Sequence, residues 1–194
     1  MAAKTREPAR DRILRTATDL FYAYGIRGVG IDRIIAESGV AKASLYANFK
    51  SKDDLVLTFL RQADEKWRRM LREAAAAAGD DPRERLAGMF GAIEAAKGDG
   101  EKFRGCVFVN TASESLPGTP VHQATVEHKR AVRAWVRDLA AQAGAADPAR
   151  LARELTILLD GAMSAAALET ITDTVPAARE AARAIIERAL APSA

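Results

Sequence analysis

Apolar positions in this chain recur at helical spacing. Ile13, Ala17, Leu20, Phe21 and Tyr24 share one helical face, and Gly25 closes the segment. Pro8 stands where a first helical turn tolerates it. A second segment begins near Gly30, carries Ile31, Ile34 and Ile35, and stops at Gly39. A third runs from about Lys42 to Phe49. Ser51 opens a fourth, with Asp54 completing a capping-box-like pair, and this one continues through Phe59, Ala63, Trp67 and Met70 towards Gly79. Asp81-Pro82 then starts a helix with Leu86, Met89, Phe90 and Ile93, and KGDGEKFRG reads as a loop. CVFVNTASESL is a short apolar helix broken by PGTP. A long helix carries Val121, Val132, Trp135 and Leu139 to Gly144. Asp147-Pro148 opens another through Leu151, Leu155, Leu158 and Leu159 to about Thr170, and a last helix spans roughly Pro176 to Leu190. No run shows sustained period-two alternation and no repeat is evident, so the expectation is an all-α fold of about nine helices.

The third segment is too short to be stable alone. With Leu45 at zero on a helical wheel and about 100° per residue, Phe49 falls near 40°, so these two are the inward anchors. Ala43 and Ala47 lie almost opposite. Tyr46 and Ser44 flank them, and Lys42 and Asn48 form the edges. A strip of methyl groups edged by cationic and hydrogen-bonding side chains suits entry into a DNA major groove. The second and third segments, joined by Gly39-Val40-Ala41, thus read as a helix-turn-helix. The same spacing also fits a short helix packed in an ordinary bundle.

Composition narrows the classes. The 194 residues are 48% hydrophobic and 28% charged, as in a globular protein, and no apolar run reaches bilayer length. MAAKTREPARDR has no apolar core and is no secretory signal, so a cytoplasmic location without a membrane partner is expected. The formal charge is +3. Residues 1–60 carry all of that excess, which points to an acidic partner for this segment. One cysteine, Cys106, excludes an internal disulfide. With His122 and His128 six residues apart, no metal site is expected, nor any cofactor. Both histidines read as solvent-facing, and Cys106 as a small buried apolar residue rather than a redox sensor.

Residues Arg10 to Leu60 resemble the DNA-binding domain of the TetR/AcrR family of transcriptional regulators. The resemblance lies in LFYAYG at the end of the first helix, IDRIIAESGV in the second, KASLYANF in the third and SKDDL opening the fourth. RGCVFVN, LLDGA and VPAAREAA resemble the family further along the chain. The resemblance implies a helix-turn-helix domain over 1–55 and a ligand-binding and dimerisation domain over 56–194. It also implies a homodimeric repressor released by a small-molecule effector. Carried over by position, Lys42, Lys52 and Asn48 would meet phosphates, and Ala43, Ser44, Tyr46 and Ala47 the bases or adjoining backbone.

This chain departs from the family in two places. Val29 and Gly30 stand where the family often has Thr or Ser, which leaves only the N–H groups of the second helix, at Gly30, to hold a phosphate. Ala41 replaces the usual cap of the third helix. The recognition segment also lacks Arg and Gln, the side chains suited to bidentate reading of guanine and adenine. Specificity is therefore expected to rest on thymine-methyl contacts, Tyr46 and DNA shape, with Lys4 and Arg6 adding minor-groove contacts.

From Leu155 to Leu168 the only charged residue is Asp160, so this helix must be covered on nearly all faces. Leu158, Leu159, Ala162 and Ala166, with Ala182, Ile185 and Ile186 of the last helix, are the expected dimer contacts. The resemblance places such contacts on the last two helices. Twofold symmetry then implies a double-stranded operator with an inverted repeat. Trp67, Met70, Phe90, Cys106, Asn110, Trp135, Asp160 and Met163 are the candidate effector-binding residues; the same residues also suit a filled core. Asn110 and Asp160, polar groups in apolar runs, need partners. No nucleophile-base set, phosphate loop or metal spacing supports an enzyme. The alternative is a constitutive DNA-binding protein whose C-terminal core takes no ligand.

Overall fold

The computed structural model describes residues 7–98, 103–168 and 173–191. Lys4 and Arg6, part of the KGDGEKFRG loop and the helix end expected near Thr170 lie outside the described residues. Among the described residues every regular element is an α-helix: α1 (Ala9–Tyr24), α2 (Ile31–Ser38), α3 (Lys42–Asn48), α4 (Lys52–Ala77), α5 (Pro82–Gly88), α6 (Gly91–Lys97), α7 (Val107–Glu114), α8 (Pro120–Gln142), α9 (Pro148–Leu168) and α10 (Thr174–Leu190).

This is one segment more than the sequence pattern suggests, because the helix expected from Pro82 to Ile93 is divided. Around Met89 and Phe90 the backbone tightens: the N–H groups of Ala92 and Ile93 reach back three residues, to Met89 and Phe90. The apolar spacing survives the break, and Leu86, Met89, Phe90 and Ile93 are all fully buried. Gly88 permits the approach of α4 here, since a Cβ would lie 2.5 Å from the Cβ of Ala78.

The chain forms two compact units, one of residues 1–63 and 107–125, the other of 64–106 and 126–194. The division expected at 55/56 and the boundary between these units at 63/64 both lie inside the continuous helix α4, and the segment 107–125, distant in sequence, joins the N-terminal helices. Period-3.6 spacing locates helices but not which unit a helix packs in.

The first unit is built on Ile13, Ala17, Leu20 and Phe21 of α1, Ile34 of α2, Leu45 of α3, and Leu55, Val56 and Phe59 of α4, all buried. The rings of Phe21 and Phe59 meet at 5.6 Å, tilted by 53°. Tyr24, although in register with that core, is exposed, and the Arg33 guanidinium lies 4.1 Å from its ring centroid.

In the second unit α9 and α10 pack along their lengths. Leu159, Ala162, Ala166, Ala182 and Ile186 are buried within the protomer, and Leu158 and Ile185 are half-buried. The inward stripe of α9 is thus buried inside the protomer. The stripe left outside is Ile157, Gly161, Ser164 and Leu168, with Ile157 70% and Leu168 85% exposed. On α10 the exposed counterpart is Ala177, Ala181 and Ala184.

Candidate nucleic-acid interface

Helix α2 ends where Gly39 takes the left-handed conformation at φ 63 and returns its N–H to the Ile35 carbonyl at 3.1 Å. Ala41 then starts α3 with no side-chain cap; only its carbonyl serves the helix, accepting from Ser44 N–H at 2.9 Å. What holds this seven-residue helix is packing. Leu45 is fully buried and Phe49 nearly so, and the Arg10 guanidinium of α1 sits 5.3 Å from the centroid of the Phe49 ring.

With those two side chains turned in, Lys42, Ala43, Tyr46 and Ala47 are exposed, and Ser44 and Asn48 are half-buried. The Asn48 side-chain amide donates to the Ser44 carbonyl at 2.8 Å. One of its two amide N–H donors is therefore engaged by its own helix. Lys42 Nζ stands 3.8 Å from Asp32 Oδ1 across the turn, with both side chains well exposed. A pair that open contributes little and yields readily to a phosphate. Gly30 precedes α2 without a side-chain cap, and nothing within 4 Å would obstruct a Cβ there.

Ser51 accepts the Asp54 N–H at 3.1 Å, and the Asp54 carboxylate accepts the Lys50 N–H at 3.0 Å. The capping box thus closes one residue further back than its usual form, and it fixes the start of α4 beside Lys52, which is half-buried.

The profile of the bacterial regulatory proteins of the tetR family matches residues 13–58, the segment that carries this geometry. The crystal structure of SCO4454, a TetR-family transcriptional regulator from Streptomyces coelicolor, is 36% identical with a TM-score of 0.85, covering 94% of this chain and 96% of that one. The chain belongs to the TetR family. Two relatives from Bacillus subtilis match over shorter stretches. YezE, an uncharacterized HTH-type transcriptional regulator, is 28% identical over 56% of this chain, and the HTH-type transcriptional regulator LmrA is 36% identical over 37% of it. The matched parts span 55% and 39% of those relatives' own lengths. The family is one of DNA-binding transcriptional regulators, not of enzymes.

Of the residues expected around an effector, Phe90, Cys106 and Met163 are buried in the second unit, and Trp67, Met70 and Trp135 are half-buried. Asn110 departs from the expectation: it lies on an exposed face of α7, in the first unit. Asp160 has a structural partner, for its carboxylate accepts from Lys129 Nζ, which also reaches Cys106 Sγ at 3.5 Å. A groove of about 580 Å³ lies between α4, α5, α6 and α10; of the expected residues only Met70 lines it, beside Gly88, Gly91, Arg179 and Arg183.

His128 is a second correction. It is only 4% exposed, and its Nδ1 stands 2.6 Å from Asp64 Oδ1, while Arg68 approaches the other oxygen at 3.4 Å. Burial pushes its pKa below the usual value, outweighing the pull of the Asp64 carboxylate. Spacing along α8 gave no sign of this, because the partner is 64 residues away. His122 is half-buried, with Nδ1 3.4 Å from Ser115 Oγ. No group of three or more His, Cys, Asp or Glu able to hold a metal occurs among the described residues. Nor is any helix among them long and apolar enough to cross a membrane.

Proposed function

We propose that this regulator binds an inverted-repeat operator as a homodimer, reads it with α3, and changes affinity when a small molecule enters the second unit. The observation that carries the DNA-reading part is the exposed strip Lys42, Ala43, Tyr46 and Ala47 on a helix held from behind by Leu45 and Phe49. Ala43 and Ala47 allow close approach to thymine methyls, and Tyr46 adds an aromatic contact with a hydroxyl at its end. Lys42, Lys52 and the first N–H groups of α2 beyond Gly30 hold phosphates and set the register. Asn48 contributes through its carbonyl oxygen or its second amide N–H, which the Ser44 bond does not use.

The second copy covers the outward stripe of α9, Ile157, Gly161, Ser164 and Leu168, together with Ala177, Ala181 and Ala184 of α10. Two exposed large apolar residues on one stripe of small neighbours favour close helix-helix association. The family's habit of dimerising supports the same surface. The effector part rests on the family resemblance and on the mixture of aromatic, sulfur and polar groups in the second unit.

A second reading, constitutive DNA binding, draws on a specific observation: Phe90 and Met163 are buried and Asp160 is already satisfied by Lys129. A genome-fragment selection with purified protein tests the first part, with Lys42→Ala/Tyr46→Ala as control. Enrichment of an inverted repeat by the wild type alone is the expected outcome; equal enrichment by the control removes α3 from the interface. Titrating the protein on that repeat with the small-molecule substrates and products of enzymes and transporters encoded beside it separates the effector-responsive from the constitutive reading.

A further inference from the structure

The turn between α1 and α2 is held by a residue from the far end of α7. Glu114 Oε2 accepts the backbone N–H of Arg27 at 2.7 Å, across 87 positions of sequence. The other side of the same carboxylate lies over Gly25, where a Cβ would come within 2.4 Å of Oε1 and 2.9 Å of Cδ. Gly25 has φ 75 and ψ 164, a conformation open essentially to glycine alone. Three residues further on, a Cβ at Gly28 would lie 2.4 Å from the Tyr24 carbonyl oxygen. This turn is therefore tight, free of side chains at its corners, and packed against one carboxylate.

Its exit matters because no side chain caps the start of α2 at Gly30, and α2 has only 8 residues. The burial of Val29, the Arg33 guanidinium over the Tyr24 ring and the Glu114 carboxylate on Arg27 fix the entry, and of these only the last comes from outside α1, α2 and their turn. Glu114 is itself anchored by α7, whose Phe108 and Thr111 are buried.

We propose that Glu114 is a positioning residue for DNA binding: by holding the Arg27 N–H and filling the space over Gly25, it sets the entry of α2 and thus its N-terminal N–H groups against a phosphate. The inference rests on the DNA-binding reading above. It gives the segment 107–125, distant in sequence from the helix-turn-helix, a direct hold on the DNA-reading element. Arg27 gains a role as well, since its backbone is pinned while its side chain stays exposed.

The test compares wild type, Glu114→Ala and Glu114→Gln on the operator recovered by selection, at one salt concentration and well below each protein's unfolding midpoint. A charge-assisted hydrogen bond of this kind corresponds to about a ten-fold loss of operator affinity in Glu114→Ala. Glu114→Gln, which keeps an acceptor oxygen at the same reach, is expected to recover affinity to within about three-fold. Amide exchange at Arg27 provides a readout independent of DNA: protected in wild type and Glu114→Gln, fast in Glu114→Ala. Unchanged Arg27 exchange in Glu114→Ala would overturn the proposal, as would wild-type affinity in a variant whose Arg27 amide has become fast. Failure of Glu114→Gln to recover affinity would overturn the acceptor role. A wild-type protein that selects no DNA defeats the DNA-binding reading itself, whereas a defect confined to Glu114→Ala leaves that reading intact.

Discussion

Helices α3 and α9 pose the same question to a reader of sequence, namely which face points inward, and they answer it differently. In α3 the apolar anchors Leu45 and Phe49 are set among Lys, Ser, Tyr and Asn, so polarity marks the outward side and burial follows the pattern. In α9 both stripes are apolar or small: Leu155, Leu159, Ala162 and Ala166 on one, Ile157, Gly161, Ser164 and Leu168 on the other. Nothing local chooses between them. Tertiary packing makes the choice: the first stripe is buried within the protomer and the second is left exposed. Periodicity identifies a face only where contrast exists; between two apolar faces the tertiary partner decides.

The largest expected effects separate those two stripes. Leu159→Ala removes a side chain that is 2% exposed and should cost about 2–5 kcal/mol of stability. Its unfolding midpoint should fall at every protein concentration. Leu168→Glu, by contrast, places a charge on the outward stripe. It should leave the protomer's core intact while raising the dimer dissociation constant by at least about a hundred-fold, as expected for a buried unpaired charge. Sedimentation at several concentrations checks this, together with loss of the concentration dependence of thermal unfolding. A Leu168→Glu protein that still sediments as a tight dimer would remove this stripe from the interface.

A smaller effect distinguishes buried from exposed polar groups in the second unit. His128 has its pKa lowered by burial, so the unfolded chain holds the proton more firmly than the folded one. Stability should therefore be complete above the usual histidine pKa of 6.5 and decline as pH falls from there towards the lowered folded value. Glu7 and Glu154, whose pKa values are held below 4.5 by arginines, add their dependence only under more acid conditions. Thermal midpoints from pH 7.5 to 5 follow this directly. His128→Gln should flatten the profile between about pH 7 and 5.5 even if it lowers the midpoint throughout. An equally steep profile in that variant would assign the dependence to other groups.

The same contrast explains how much was legible beforehand. Helix positions, the helix-turn-helix and the exposed α3 residues all follow from local spacing and from turn glycines such as Gly25 and Gly39, whose signals lie within a few residues. The polar pairs that tie distant segments together span much longer separations: Arg27 with Glu114, Asp64 with His128, and Lys129 with Asp160. Asp160 stands out as the one charge in an apolar run, but its partner does not, and the other members look ordinary in their own segments. Glu114 is one acidic residue near a helix end, and His128 one more polar residue on a mixed helix. The division of the Pro82–Ile93 segment was hidden for the opposite reason, since a tight turn that preserves the apolar register leaves the hydrophobic pattern unchanged.

The smallest expected effect returns to α3. Its start at Ala41 has φ −70 and ψ 147, the extended conformation of a capping residue, yet no side chain accepts from the first turn. Ala41 is exposed, so a hydroxyl can be added without disturbing the core. Ala41→Ser should stabilise the protein by about 1 kcal/mol or less, because one otherwise unserved N–H gains an acceptor. The informative comparison is with operator affinity. If packing by Leu45 and Phe49 already fixes α3, the cap will raise the unfolding midpoint and leave affinity within about two-fold. If α3 frays in free protein and orders on DNA, the cap will reduce that ordering penalty and tighten binding several-fold, since a binding-competent state that is more populated binds more tightly. Measuring both quantities on one variant shows whether this short helix is presented rigid or completed by the groove it enters.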